Sequence, residues 1–253
     1  PELLSRVDGS EMESLELMAQ DVTVIITGHR ARIIFDLVFY NHSESVLSGE
    51  FMVQIPDRAG PSSLGMFQGH PYAGVDWSEE TGSISRSVLL APTPSSPDSL
   101  MGTALNLENS WDINGTATDW GEFRPAVVVE PAQGRQVYET ITRQKVDPAL
   151  GEWTGTGSYS TRIFPLPPRS LKRVVFSYDQ TLVPDEGAVT YQLPAIGSSA
   201  GERLTIHDIG VSFSQSGVTI GGKSLEQQRS GLGRMWQTAG ADWNDGAVEF
   251  RGV

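Results

Sequence analysis

The sequence predicts a mainly β fold: an antiparallel β-sandwich with one short α-helix and a long loop-rich insertion. Three observations point there. Apolar and polar residues alternate at period two over several short segments, the pattern of strands with one face on a core. Charged residues make up only 19% of the chain while glycine and proline number 27 and 15, a balance that favours turns and strands over helical bundles. Turn formers also recur at short intervals, as a sandwich requires.

The clearest element comes first. Val22, Val24 and Ile26 alternate with Thr23 and Thr27, and Gly28-His29 marks a turn. Beyond it Ala31, Ile33, Phe35, Leu37 and Phe39 line one face while Arg32, Asp36 and Tyr40 take the other, which completes a hairpin with a well-fixed register. Asn41 to Ser48 reads as a polar loop. Phe51, Val53 and Ile55 form a third strand, stopped by Pro56, which has no N–H for a ladder. Three strands in succession with short links predict one antiparallel sheet.

Residues 57–123 read as an insertion of loops and short strands, with the proline-rich stretch 92–99 its most exposed part. Ala126 to Val129 is a brief strand. Pro131 suits a helix start, and Val137, Tyr138 and Ile141 place one apolar stripe on a short helix. Asp147-Pro148 ends it, because a residue before proline is pushed out of the α region. Tyr159–Phe164, Arg173–Tyr178, Val189–Leu193, Leu204–Phe213, Met235–Gln237 and Ala247–Arg251 read as strands. Gly210 marks a bulge, and Gly217 to Gly222 a turn-rich link. The expected organisation is a single domain over 1–253, with a core at 14–56 and 124–184, the insertion at 57–123, and added strands over 185–253.

A chain of 253 residues buries roughly 70% of its unfolded surface, enough to dispense with disulfides, and it has no cysteine with which to make one. Its net charge of −13 repels nucleic acid and anionic membranes. No apolar run reaches the roughly 20 residues that cross a bilayer. The chain begins at Pro1 without Met and ends in apparent structure at Val253, which reads as a piece of a longer, processed protein.

Several motifs fall in a familiar order. Arg135-Gln-Val-Tyr138-Glu139 is followed by Asp147-Pro148-Ala-Leu150, then by Tyr159-Ser-Thr-Arg162-Ile-Phe164-Pro165-Leu-Pro-Pro168, then by Val174-Val-Phe-Ser-Tyr178-Asp-Gln-Thr-Leu182. Earlier come Phe39-Tyr40-Asn41, Gly49-Glu-Phe51 and Ile55-Pro56. Over roughly 14–182, apart from the insertion, this order resembles the vault-protein/inter-α-trypsin (VIT) domain. The departures are a displaced Ala132 and the long segment after Pro56, where family members have a short strand pair. The resemblance implies a β-sandwich module that sits before a von Willebrand A domain in a secreted, periplasmic or surface-attached protein. It implies no catalytic residue, so Tyr138, Glu139, Asp147, Pro148, Arg162, Phe164, Pro165 and Tyr178 are expected to be structural, with Arg162 pairing an acidic neighbour such as Glu139.

The sharper chemical readings are weaker. Gly155-Thr-Gly-Ser158-Tyr-Ser lacks the closing glycine of a nucleophile elbow, and His29, His42, His70 and His207 have no motif partner. Gly155-x-Gly157 and Gly231-x-Gly233 lack the remainder of a phosphate loop. Asp112, Asn114 and Asp119, and likewise Asp242, Asn244 and Asp245, put hard oxygen ligands in glycine-containing turns and are candidates for calcium, although neither set fits the twelve-residue calcium loop. No other cofactor is expected. Trp77, Trp111, Trp120 and Trp153 fall in expected loops beside polar residues, the basis of an alternative reading as a carbohydrate-binding module. Asn41-His-Ser43 and Asn114-Gly-Thr116 are sequons. The favoured expectation is a non-catalytic interaction or scaffolding domain with a protein or matrix partner.

Overall fold

The structure is a computed structural model that describes residues 1–6, 12–67, 112–113, 116–117, 123–125, 149–153, 157–193, 201–209, 213–230, 233–239 and 248–253. The described strands begin with β1 (Glu2–Arg6), β2 (Met12–Ser14), β3 (Glu16–Thr27), β4 (Arg30–Asn41), β5 (Leu47–Gln54) and β6 (Ala59–Phe67). Then come β7 (Asp112–Ile113), β8 (Thr116–Ala117), β9 (Phe123–Pro125), β10 (Ala149–Trp153), β11 (Ser158–Leu166) and β12 (Ser170–Thr181). The last are β13 (Val189–Leu193), β14 (Gly201–Ile209), β15 (Ser216–Ile220), β16 (Lys223–Ser224), β17 (Gln228–Ser230), β18 (Gly233–Ala239) and β19 (Val248–Gly252). No helix occurs among the described residues, and the expected helix within 131–148 lies outside them, as do the stretch 92–99, the Ala126–Val129 strand and the Gly210 bulge.

The chain is mainly β. A large eight-stranded sheet has the order β17-β18-β14-β3-β4-β12-β6-β9. A five-stranded sheet, β10-β11-β5-β1-β2, and a four-stranded sheet, β13-β19-β15-β16, accompany it, and β7 and β8 pair by themselves. Among the described strands all pairings are antiparallel except β14 with β3, which run parallel.

The β3–β4 hairpin forms as its alternation demands. Val22 faces Phe35, Val24 faces Ile33 and Ile26 faces Ala31, around a turn in which Gly28 takes a φ of 56°. β12 lies along the other edge of β4 over twelve residues, bringing Val174 opposite Leu37, Phe176 opposite Phe35 and Tyr178 opposite Ile33. On this inner face the five-stranded sheet sets Phe51 against Phe39 and Phe176, with ring centroids 6.4 and 5.8 Å apart, and Tyr159 against Phe176 at 5.1 Å. The four-stranded sheet continues the same core through an edge-to-face contact of Trp236 with Phe250 at 6.0 Å. Each such aromatic or aliphatic side chain contributes about 1.5–3 kcal/mol by leaving water.

Three expectations are corrected. β5 does not join β4; it crosses to the five-stranded sheet between β11 and β1. The edge of β4 goes instead to β12, which supplies twelve paired positions where β5 has eight residues. Part of the segment 57–123, expected as loops and short strands, is regular sheet: β6 is a nine-residue strand of the large sheet paired with β12. Its Gly60-Pro61-Ser-Ser63 run reads as a turn in sequence, but the ladder shifts register there, and at such a bulge a proline's missing N–H costs little. The Gly217–Gly222 link is in fact β15, closed onto β16 by Gly221 and Gly222 with φ of 54° and 79°, the double positive φ of a tight hairpin.

The large sheet is buried on its outer side as well. Arg173, wholly buried, donates from Nε to Asp36 Oδ1 at 2.8 Å, bonds Asp36 Oδ2 through Nη2, and lies 4.8 Å over the Phe67 ring. Gln20 is the misfit of the inner face: it is fully buried opposite Leu37, and neither of its amide atoms has a partner among the described residues. Gln20→Met should therefore raise the unfolding free energy by about 1–2 kcal/mol, since an unsatisfied buried amide costs that much and methionine matches its shape. A higher urea midpoint at unchanged slope is the expected readout; a lower one would mean the amide is satisfied.

Candidate binding groove

A groove of about 530 Å³ opens between the β15–β16 hairpin, β19 and β18. Alternation builds it. Val218 and Phe250 turn inward onto the core, and Trp236 from β18 closes the base at 1% exposure. The intervening residues turn outward: the β15–β19 register sets Gly217 opposite Arg251 and Thr219 opposite Glu249. A Cβ on Gly217 would meet nothing within 4 Å, so the space over that strand is open. Gln215, Ser224 and Gln227 complete the rim, and Glu249 accepts a hydrogen bond from Gln192 Nε2 at 3.3 Å.

Beneath the groove a charged clamp ties the four-stranded sheet to the large one. Asp208 on β14 and Arg234 on β18 are cross-strand neighbours. Asp208, 1% exposed, accepts from Ser216 Oγ at 2.6 Å and from Arg234 Nη1 at 3.2 Å. Arg234 also donates to Ser216 Oγ at 2.7 Å and to the carbonyl of Ser214 at 3.1 Å. The adjoining Gly233 has a φ of 140°, and a Cβ there would fall 2.3 Å from the Asp208 carbonyl oxygen, so only glycine lets the strands approach this closely.

Few of the residues singled out in the sequence meet at this groove. Trp153 ends β10 opposite Tyr159, on a strand and not in the expected loop, while Trp77, Trp111 and Trp120 lie outside the described residues. Of the calcium candidates, Asp112 opens β7 opposite Ala117, and Asn114, Asp119, Asp242, Asn244 and Asp245 lie outside the described residues. Among the described residues no group of three or more His, Cys, Asp or Glu side chains is placed to hold a metal ion. Tyr138, Glu139, Asp147 and Pro148 also lie outside. Arg162 is exposed on β11, opposite Glu50; Phe164 and Pro165 are half-buried and joined by a cis peptide; Tyr178 is core.

The histidines divide. His29 is exposed in its turn, and His42 Nε2 lies 2.7 Å from Glu16 Oε2. His207 is buried, which holds its pKa below the usual imidazole value. His70 lies outside the described residues.

Asn41 turns out to be a structural pin. It is 2% exposed, and its Nδ2 donates to the carbonyls of Ser45, Leu166 and Pro167 at 3.1, 3.0 and 2.8 Å. Its Oδ1 accepts from the Ser43 N–H at 2.9 Å. An amide spent in this way is closed to glycosylation in the folded chain. Asn41→Ala is expected to cost about 2–4 kcal/mol, roughly one per lost bond, as a drop in urea midpoint; an unchanged midpoint would show that the loop holds without it.

Sequence reasoning missed the groove because Gln215, Gln227, Trp236, Glu249 and Arg251 come from separate segments. The usable signal was the Gly221-Gly222 pair flanked by Val218 and Ile220, a hairpin pattern.

No known protein family matches the chain, and no curated protein matches it. Among solved structures it is similar to an M1 zinc metallopeptidase from Deinococcus radiodurans, crystallised as a mutant bound to a Tyr-Ser-Ala substrate, with a TM-score of 0.38 and 9% identity. The match covers 94% of this chain and 42% of that one. A likeness of this degree carries neither fold membership nor activity to the present chain.

Proposed function

We propose that this chain is a non-catalytic interaction module of the VIT type, part of a larger exported or surface-associated protein. Its role is to position a neighbouring von Willebrand A-type domain or to hold a protein or matrix partner. The observation that supports this is the groove, in which amides and hydroxyls, with one guanidinium and one carboxylate, ring an apolar base of Val218, Leu225 and Trp236. Contact surfaces combine an apolar centre with a polar rim in this way. The paired charges serve cohesion: Asp208 and Arg234 pair across two strands of the large sheet and hold Ser216 of the four-stranded one, and Asp36 and Arg173 join two further strands of the large sheet.

Lys223 offers a direct test. The chain has three lysines, of which Lys223 is exposed at the hairpin tip beside the groove and Lys172 is buried. Treatment of the native full-length protein with a short amine-reactive cross-linker, followed by peptide mass spectrometry, is expected to join Lys223 to another domain or polypeptide. If Lys223 is modified in high yield but only ever as a single-ended adduct, the groove is not a contact surface.

A further inference from the structure

We infer that the groove takes a compact, uncharged, polyhydroxylated ligand, a neutral saccharide on the order of one or two rings, either free or displayed on a partner. The inference rests on the reading of the chain as a binding module and names what that module holds.

The backbone first excludes an added peptide strand. Gln215 and Val253 exchange both main-chain hydrogen bonds, at 3.1 and 2.9 Å, so Gln215 faces β19. The two-residue period then turns the N–H and C=O of Ser216 the other way, along the groove. On one side of Ser216 the Leu225 N–H occupies the Val218 carbonyl at 2.8 Å, and on the other Arg234 occupies the Ser214 carbonyl at 3.1 Å. One open residue is too short an edge for a strand to pair with, since strand addition needs a run of main-chain bonds.

Charge then excludes an ionic ligand as the main occupant. Glu249 and Arg251 stand two positions apart on the same face of β19 and offset each other, and Glu249 is already bonded by Gln192. The chain as a whole carries −13, which opposes an anion. What remains is a set of groups that both donate and accept: the amides of Gln215 and Gln227, the hydroxyls of Thr219 and Ser224, and the Ser216 main chain. A sugar hydroxyl has the same dual character. Val218 and Trp236, each 1% exposed, only close the floor, while half-buried Leu225 offers a small apolar contact for the C–H face of a sugar ring and bare Gly217 leaves room for it beside Arg251. A volume of about 530 Å³ lies within the usual range for a small-molecule site.

The test is saturation-transfer NMR on the whole chain with glucose, galactose, mannose, N-acetylglucosamine, lactose and maltose, and with sialic acid as the anionic comparison. At least one neutral sugar is expected to bind. Gln215→Ala and Gln227→Ala should each weaken it about tenfold, the worth of one good hydrogen bond. Gly217→Val should abolish binding at an unchanged melting temperature, because valine suits a strand and fills the open space, whereas Trp153→Ala should bind as the parent does. The inference is overturned if no neutral sugar binds at millimolar concentration, if sialic acid alone binds, or if binding survives Gly217→Val or is lost in Trp153→Ala. Lys223 cross-links without sugar binding would keep the interaction module and remove the saccharide. Sugar binding without cross-links would keep the saccharide and remove the macromolecular partner.

Discussion

Asp208→Ala is expected to lower the unfolding free energy by about 2–3 kcal/mol, the loss of a buried carboxylate's hydrogen bonds to a partly exposed guanidinium and a hydroxyl. The alanine would leave Arg234 without its carboxylate and Ser216 without its acceptor, at the point where β15 of the four-stranded sheet meets β14 and β18 of the large one. Asp208→Asn should cost less, because the amide oxygen can still accept from Ser216. Arg234→Met alone should also destabilise, and the double variant Asp208→Ala with Arg234→Met should lose less than the sum of the two, the mark of a coupled pair. Denaturant unfolding of the four proteins decides the matter. Strict additivity, or an Asp208→Ala loss below about 1 kcal/mol, would mean that the clamp contributes little and that the aromatic contacts of Trp236 and Phe250 hold the sheets together alone.

The second large effect is on the alkaline side. Burial pushes the phenols of Tyr159 and Tyr178 up to about 12, and that of Tyr191 well above its usual value. The hydroxyls of Tyr178 and Tyr191 influence one another, but burial outweighs the contact at Tyr178 and the contact adds to burial at Tyr191. An unfolded tyrosine ionises near pH 10, so between pH 10 and about 12 the unfolded chain releases protons that the folded chain keeps. Stability is thus whole below pH 10 and falls as pH rises toward about 12, by roughly 2–3 kcal/mol for each of Tyr159 and Tyr178. Melting temperature should drop steeply across this window, and tyrosinate absorbance should rise together with unfolding. Tyr178→Phe should flatten the decline. If tyrosinate forms near pH 10 while the fold persists, the rings are not desolvated as described.

Legibility followed the range of the interactions. The β3–β4 hairpin was plain because every second residue is apolar from Val22 to Ile26 and again from Ala31 to Phe39, and Gly28 sits where a positive φ is needed, all within one short stretch. β11, β12 and β13 were legible as short apolar-rich runs punctuated by prolines such as Pro165, Pro168 and Pro184. β1 gave no signal in Glu2–Arg6, although Leu3 is wholly buried in the final packing; one apolar contact does not make a periodicity. β6 was obscured because Gly60, Pro61 and the two serines are turn formers by local preference, and pairing with β12 overrides that preference.

The candidate site was less legible still. Asn41 read as the start of a sequon, and only the return of Leu166 and Pro167 to its side, across 125 and 126 residues of chain, makes it a pin. The tryptophans that attracted notice in the sequence are not those of the groove, whose Trp236 lies in a short apolar run with no loop character.

By itself, then, the sequence determined the class of the fold, since alternation, scarce charge and abundant turn formers are local properties that a β chain must satisfy residue by residue. It also determined the net charge of −13. Tertiary structure alone decided which sheet each strand entered, the parallel meeting of β14 with β3, the clamp of Asp208 with Arg234 and Ser216, and the groove above it. Those depend on contacts between strands far apart in the chain, where the energy comes from shared burial and paired charges and leaves no pattern in any one segment.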